Sequence, residues 1–202
     1  MLIYGDLLVK VAILVDGMYL QHACDEFGTG RIDPTKLPKV LLRDGEAHYR
    51  TYLFDALPYV PDLGATSEQI ERRNAKKTYF DALQYKEGIT VEQGVVRPKR
   101  TTCFKCRSEF YVPVQKLVDV RMSVRLVSLA WSRIVDKIVL LTGDGDLLPA
   151  VEAVEPSGTT VRIAYCSEGN VQTSRALIRK CPEKQQLKGS DLSFCKLEQT
   201  SS

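Results

Sequence analysis

Two short runs of acid and glycine carry the strongest chemical signal in the chain: Asp16-Gly17 and Gly143-Asp144-Gly145-Asp146. Carboxylates gathered in one place repel each other, and their pKa values rise unless a cation joins them. Mg²⁺ and Mn²⁺ accept such oxygen ligands, and one bound ion can activate water and neutralise charge on a phosphate in transfer. Glycines between the acids let backbone and ligand approach closely. A plainer reading stands beside this one. Asp-Gly after a strand is a common turn, and Asp caps helices well. Capping accounts for one acid of the Gly-Asp-Gly-Asp run but not readily for both.

Bringing these acids together falls to the strands before them. Residues 11–15 (VAILV) and 137–142 (KIVLLT) are continuous apolar runs, which suit strands buried on both faces of a parallel sheet. Further strands are expected over 49–55, 89–97 and 160–164. Helices are expected after Gly17, near 34–42, over 66–86 with Ser67 as a candidate cap, and over 115–133, 147–155 and 171–179. This alternation predicts an α/β fold: a central, mainly parallel sheet flanked by helices and joined by right-handed crossovers. Ligands of such sheets bind beyond the carboxyl ends of the strands. Asp16, Asp144 and Asp146 all fall at such ends, and converge if their strands are neighbours.

Residues 98–113 read as an irregular insert, and the chain turns polar past Pro182. The expected organisation is an N-terminal extension (1–10), one domain (11–182) containing the insert, and a loose polar tail (183–202). With 202 residues, 44% of them hydrophobic, the chain can build one core without staples. A net charge of +3 gives only a weak pull toward polyanions. Six cysteines are too sparse for a secreted disulfide scaffold. No signal peptide or membrane-length apolar run is visible. The expectation is a cytoplasmic protein with reduced thiols and no membrane partner.

Cys103 and Cys106 have the spacing of half a zinc site. Tetrahedral Zn²⁺ wants four ligands, and no second CxxC is present. The alternatives are a zinc completed by residues distant in sequence or by a second chain, and an unliganded turn. Arg97, Lys99, Arg100, Lys105 and Arg107 cluster around this pair, interleaved with Phe104, Phe110 and Tyr111. Basic and aromatic residues together suit single-stranded RNA; they equally suit a solvated loop.

Four segments in order, AILVDGMYL (12–20), RTYLFDALP (50–58), VQKLVDVRMSVRLVSLA (114–130) and VLLTGDGDLLPAVEAVEPSGTTVRI (139–163), resemble the motifs of NYN domains in the PIN-like nuclease group. The resemblance implies a three-layer PIN-like fold, dependence on Mg²⁺ or Mn²⁺, and hydrolysis of RNA phosphodiester bonds. Carried over by position, it implies Asp16, Asp119, Asp144 and Asp146 as the catalytic, metal-holding acids. Without it, Asp119 reads as a solvated helix acid. There is one departure. The family helix carries a further acid six residues on, where this chain has Arg125. On a helix the two positions lie about 120° apart and roughly 9 Å along the axis. Arg125 could weaken metal binding, replace the ion with a fixed cation, contact phosphate, or face solvent. Leu117 stands where the family often has Gly. Two functions follow: a metal-dependent ribonuclease, or a catalytically impaired domain acting as an RNA-binding or regulatory protein-interaction module. A small-nucleotide phosphatase would need a closed pocket that the sequence does not show. A homodimer or protein partner is left open.

Overall fold

Val11 to Val15 are completely buried, because the strand that carries them, β1 (Val9–Asp16), is covered on both faces. The computed structural model describes residues 8–197. Around β1 lie β2 (Glu46–Asp55), β3 (Ile89–Gln93), β6 (Lys137–Leu141), β7 (Thr160–Cys166) and β8 (Glu183–Leu187). They form a six-stranded sheet in the order β3-β2-β1-β6-β7-β8, and each neighbouring pair is parallel.

Alternate side chains of β1 enter opposite layers, as strand geometry requires. Val11, Ile13 and Val15 pack with α1 (Gly17–Glu26), α2 (Pro38–Leu41), α3 (Ser67–Gln84) and α7 (Gly189–Phe194), through Leu20, Leu41, Leu83 and Leu192. Ala12 and Leu14 pack with α4 (Val118–Trp131), α5 (Leu148–Val154) and α6 (Arg175–Lys180), through Met122, Val151 and Leu177. The result is helix, sheet, helix. The chain runs outward from β1 to β3, then returns to lay β6 on the other side of β1. A sheet whose order turns back in this way leaves a crevice at the carboxyl ends of the two strands that part company, and ligands bind there. Those strands are β1 and β6, the two that precede Asp16 and Asp144.

Several local expectations need correction. The strand over 89–97 breaks at Gly94, where an added Cβ would strike Val118 and lie 2.7 Å from the Lys116 carbonyl. The irregular insert is an antiparallel hairpin of β4 (Val95–Thr102) and β5 (Glu109–Lys116). Its tip is closed by Cys103 N donating to Ser108 O at 2.8 Å and by Arg107 N donating to Cys103 O at 2.9 Å. Gln115 and Lys116 finish β5, so α4 starts three residues later than the helical periodicity suggested. Leu117 makes the corner in the left-handed region, at φ 71°. Thr66, not Ser67, caps α3, in a capping box with Gln69. α6 begins at Arg175, later than the 171–179 helix anticipated. The tail past Pro182 is not loose: β8 joins the sheet and α7 packs Leu192 into the core. At the other end, Val9 and Lys10 belong to β1; residues 1–7 and 198–202 of the expected extension and tail lie outside the described residues.

Candidate active site

Asp16 sits where β1 becomes α1. One carboxylate oxygen accepts from the Met18 amide at 3.0 Å and the Tyr19 amide at 3.1 Å, capping the helix. The other accepts from the Thr142 hydroxyl at 3.2 Å. That hydroxyl oxygen accepts from the Asp144 amide at 3.1 Å. Asp144 in turn accepts from the Asp146 amide at 2.9 Å. Thr142, fully buried at the end of β6, therefore ties the two strand ends together. The capping reading of Asp16 and Asp144 is correct as far as it goes. Each carboxylate keeps lone pairs beyond those bonds, and capping leaves Asp146 unexplained.

Asp119, in the first turn of α4, completes the group. Its carboxyl is raised above the ordinary aspartate value, first by desolvation and then by the charges of Asp144, Asp16 and Asp146. The Asp16 carboxyl is also raised. Burial pushes it up against the hydrogen bonds from Tyr19, Thr142 and Met18, and Asp144 adds to the rise. Asp119 thus feels the other three acids chosen from the sequence, and Asp16 feels Asp144. A cleft of about 460 Å³ opens over Asp16, Asp119 and Asp144, with His22 and Gln172 on its walls and no lysine or arginine among its described lining residues.

Among the described residues no group of three His, Cys, Asp or Glu stands close enough to hold an ion by itself. Mg²⁺ does not require one: it commonly uses one or two carboxylates and keeps several waters. Uncompensated, partly desolvated acids with free lone pairs match that need. Asp16 and Asp144 are the inner pair of the set.

Three supporting residues had escaped the sequence reading. Thr142 is one. Tyr19 is another: its hydroxyl meets Thr173 Oγ1 at 2.7 Å and accepts from the Cys166 amide at 2.8 Å. Its ring backs Gly143, where an added Cβ would lie 2.7 Å from Tyr19 and would strike the Gln172 carbonyl. Gly143 is therefore needed for close packing at the base of the cleft. Asp55, at the carboxyl end of β2, is the third; it is buried and paired with Lys76 at 2.8 Å. Its strand-end position was a signal of the same kind as Asp16's.

Arg125 is engaged elsewhere. Its Nε donates to Glu92 Oε1 at 2.9 Å, with Nη2 on the same oxygen, and its guanidinium lies 4.9 Å from the Tyr52 ring centre. It clamps α4 to β2 and β3. The hairpin cations are dispersed. Cross-strand register puts Arg97 and Lys99 on the face opposite Val96, Pro113 and Gln115, the residues that line the adjoining groove. Arg100 is paired with Glu109, Lys105 lies 5.9 Å from the Phe104 ring centre, and Arg107 forms the tip. At that tip Cys106 Sγ is 2.9 Å from the Ser108 hydroxyl, which lowers the thiol to about 7. No third ligand joins Cys103 and Cys106 among the described residues, so one chain does not supply the four donors that structural zinc wants.

A three-layer domain whose acids meet where the strand order turns back belongs to the PIN-like class. The chain belongs to the NYN domain family, whose model matches residues 10–187; this is a PIN-like nuclease family. The match takes in β8, placing the strand past Pro182 inside the domain. No curated protein is similar enough to count as a match. No helix among the described residues is long and apolar enough to cross a membrane.

Proposed function

We propose that this chain is a metal-dependent ribonuclease that hydrolyses RNA phosphodiester bonds at the carboxyl edge of the sheet. The observation that carries this reading is that Asp119 feels the charges of Asp16, Asp144 and Asp146 beside a cleft with no lysine or arginine among its described lining residues. Such a charge arrangement costs stability unless the site's ligand supplies the cation. Asp16 and Asp144 would hold Mg²⁺ or Mn²⁺, with Asp119 and Asp146 bonding its waters. A metal bound there would supply Lewis acidity and an activated water. The protein's own residues fix the acids: the α1 amides and Thr142 orient Asp16, Thr142 and the Asp146 amide orient Asp144, and Tyr19 with Gly143 holds the floor.

The second reading, an RNA-binding or regulatory module without cleavage, draws on Arg125 in place of a family acid. The pairing of Arg125 with Glu92 and Tyr52 supports catalysis instead, because a guanidinium so held is not offered to the cleft. The test uses single-stranded and structured RNA with Mg²⁺ or Mn²⁺. Asp144→Asn should lower cleavage by about 100-fold, the order seen when a metal site loses an anchoring group, while keeping the fold. Equal cleavage by wild type and variant would assign the activity to a contaminant. Arg125→Asp should not create activity; cleavage that appears only in that variant would favour the impaired-site reading.

A further inference from the structure

The acidic cleft does not end at its own walls. Met18, Pro113 and Gln115 line it and also line a second depression of about 430 Å³, between the loop after β2, α3 and the hairpin. Gly17, Asp55, Arg72 and Lys76 are shared in turn with a third depression of about 400 Å³ that reaches Arg31. The three form one trough, acidic at one end and cationic further along.

We propose that this trough holds the single-stranded RNA segment flanking the bond cut at the acidic cleft, with Arg72 and Lys76 taking one of its phosphates. This rests on the reading that the cleft acts on RNA. Arg72 and Lys76 are four residues apart on α3, so they share one face of the helix. Arg72 is exposed and makes no hydrogen bond or ion pair with any described residue. Lys76 is held in place: its ammonium donates to Asp55 Oδ1 at 2.8 Å and lies 5.5 Å from the Phe80 ring centre. Asp55 is itself fixed by accepting from the Ala56 amide at 2.7 Å. Gly17 makes room for it, since a Cβ there would come within 2.6 Å of the carboxyl. One acid thus positions one lysine, and Arg72 is left as positive charge over. In the same depression, Leu57, Tyr59, Val96 and Pro113 give apolar surface, on which an unpaired base can stack. Cationic hydrogen-bond donors for a phosphate and apolar surface for stacking in one depression suit one strand of nucleic acid rather than a duplex, whose bases are already stacked.

The test is binding of a fluorescein-labelled single-stranded RNA about ten nucleotides long, followed by anisotropy in EDTA over a salt series so that cleavage does not intervene. Arg72→Glu should weaken binding about tenfold and lower the salt slope by about one, with an unchanged thermal melt because the side chain is exposed. Arg72→Glu binding with wild-type affinity and slope would overturn the proposal, and so would a duplex bound as tightly and weakened as much. RNA that binds through Arg72 but is never cut leaves the trough standing and removes the nuclease reading. RNA that wild type and Arg72→Glu bind and cut equally removes the trough and leaves the nuclease. A wild-type protein that binds no RNA defeats both.

Discussion

At the amino ends of β2, β6, β7 and β8, Glu46, Lys137, Arg162 and Glu183 meet as two acids and two bases. Near the carboxyl ends of β1 and β6, Asp119 of α4 feels the charges of three further acids, Asp16, Asp144 and Asp146. The first group is closed. Arg162 has no exposed surface, donates to Glu183 at 2.9 Å and to the Leu41 carbonyl at 2.9 Å, and is paired with Glu46. Lys137 bridges the same two acids at 2.8 and 2.7 Å. Burial alone would raise the Glu46 carboxyl, but hydrogen bonds from Lys137 and Arg162 hold it at about 2. The second group is open, and two of its members have raised carboxyls. The first group's charges are neutralised within the chain and serve the fold; the second group's cleft has no lysine or arginine among its described lining residues, which is why the proposed site lies there.

Breaking the closed end should have the largest effect on stability. Arg162→Ala leaves two acids short of a partner in the interior and should cost about 3–5 kcal/mol, measured by urea unfolding at pH 7. A loss below about 1 kcal/mol would mean the network is not structural. Gly143→Ala comes next. The new methyl meets Tyr19 and the Gln172 carbonyl, and overpacking of this kind costs about 1–3 kcal/mol. Its unfolding midpoint should fall and its RNA cleavage should fall with it.

The two ends should also answer pH with opposite signs. Glu46 has a folded pKa below its ordinary 4.5. The stability it contributes is full above about pH 4.5 and is lost as pH falls toward 2. Asp119 has a folded pKa above its ordinary 3.8. Its ionised form opposes folding, and that opposition is relieved as pH falls through the raised value. In chelator, Asp119→Asn should therefore stabilise the domain at pH 7, by less than about 1 kcal/mol for so exposed a group; Glu46→Gln should destabilise it. Unfolding midpoints of both variants between pH 3 and 8 check this, and like signs would erase the distinction.

The smallest effect is expected at Leu117. A non-glycine residue in the left-handed region carries about 1 kcal/mol of strain, and Gly there gives up roughly as much in chain entropy. Leu117→Gly should change stability by less than about 1 kcal/mol in either direction.

Legibility in the sequence followed burial. β1 and β6 were plain because both their faces are covered, so no polar residue interrupts them. β8, Glu183–Leu187, looked like tail because it is an edge strand whose Glu183 and Gln185 turn inward to Arg162. The hairpin was hidden by Pro98 and Pro113, which sit opposite each other. A two-stranded ribbon has open edges that tolerate proline. Asp16 and Asp144 could be read from strand ends, whereas Asp119 needed the family, since a helix's first turn carries no sheet-edge signal. Thr142 and Tyr19 looked ordinary because what distinguishes them is a neighbour distant in sequence; Arg72 looked ordinary because it is one charge among many on an exposed helix.

The hairpin has a consequence for how such a protein can diversify. Both its ends are pinned, at Gly94 against Val118 and at Leu117 before α4, while its tip contributes nothing to the six-stranded sheet. Residues 102–109 form a replaceable module. Changes of length or sequence there leave the six-stranded sheet's pairing intact, and they also leave the cleft's lining intact, because the hairpin residues that line it and the adjoining groove, Val96, Pro113 and Gln115 among them, lie near the hairpin's base.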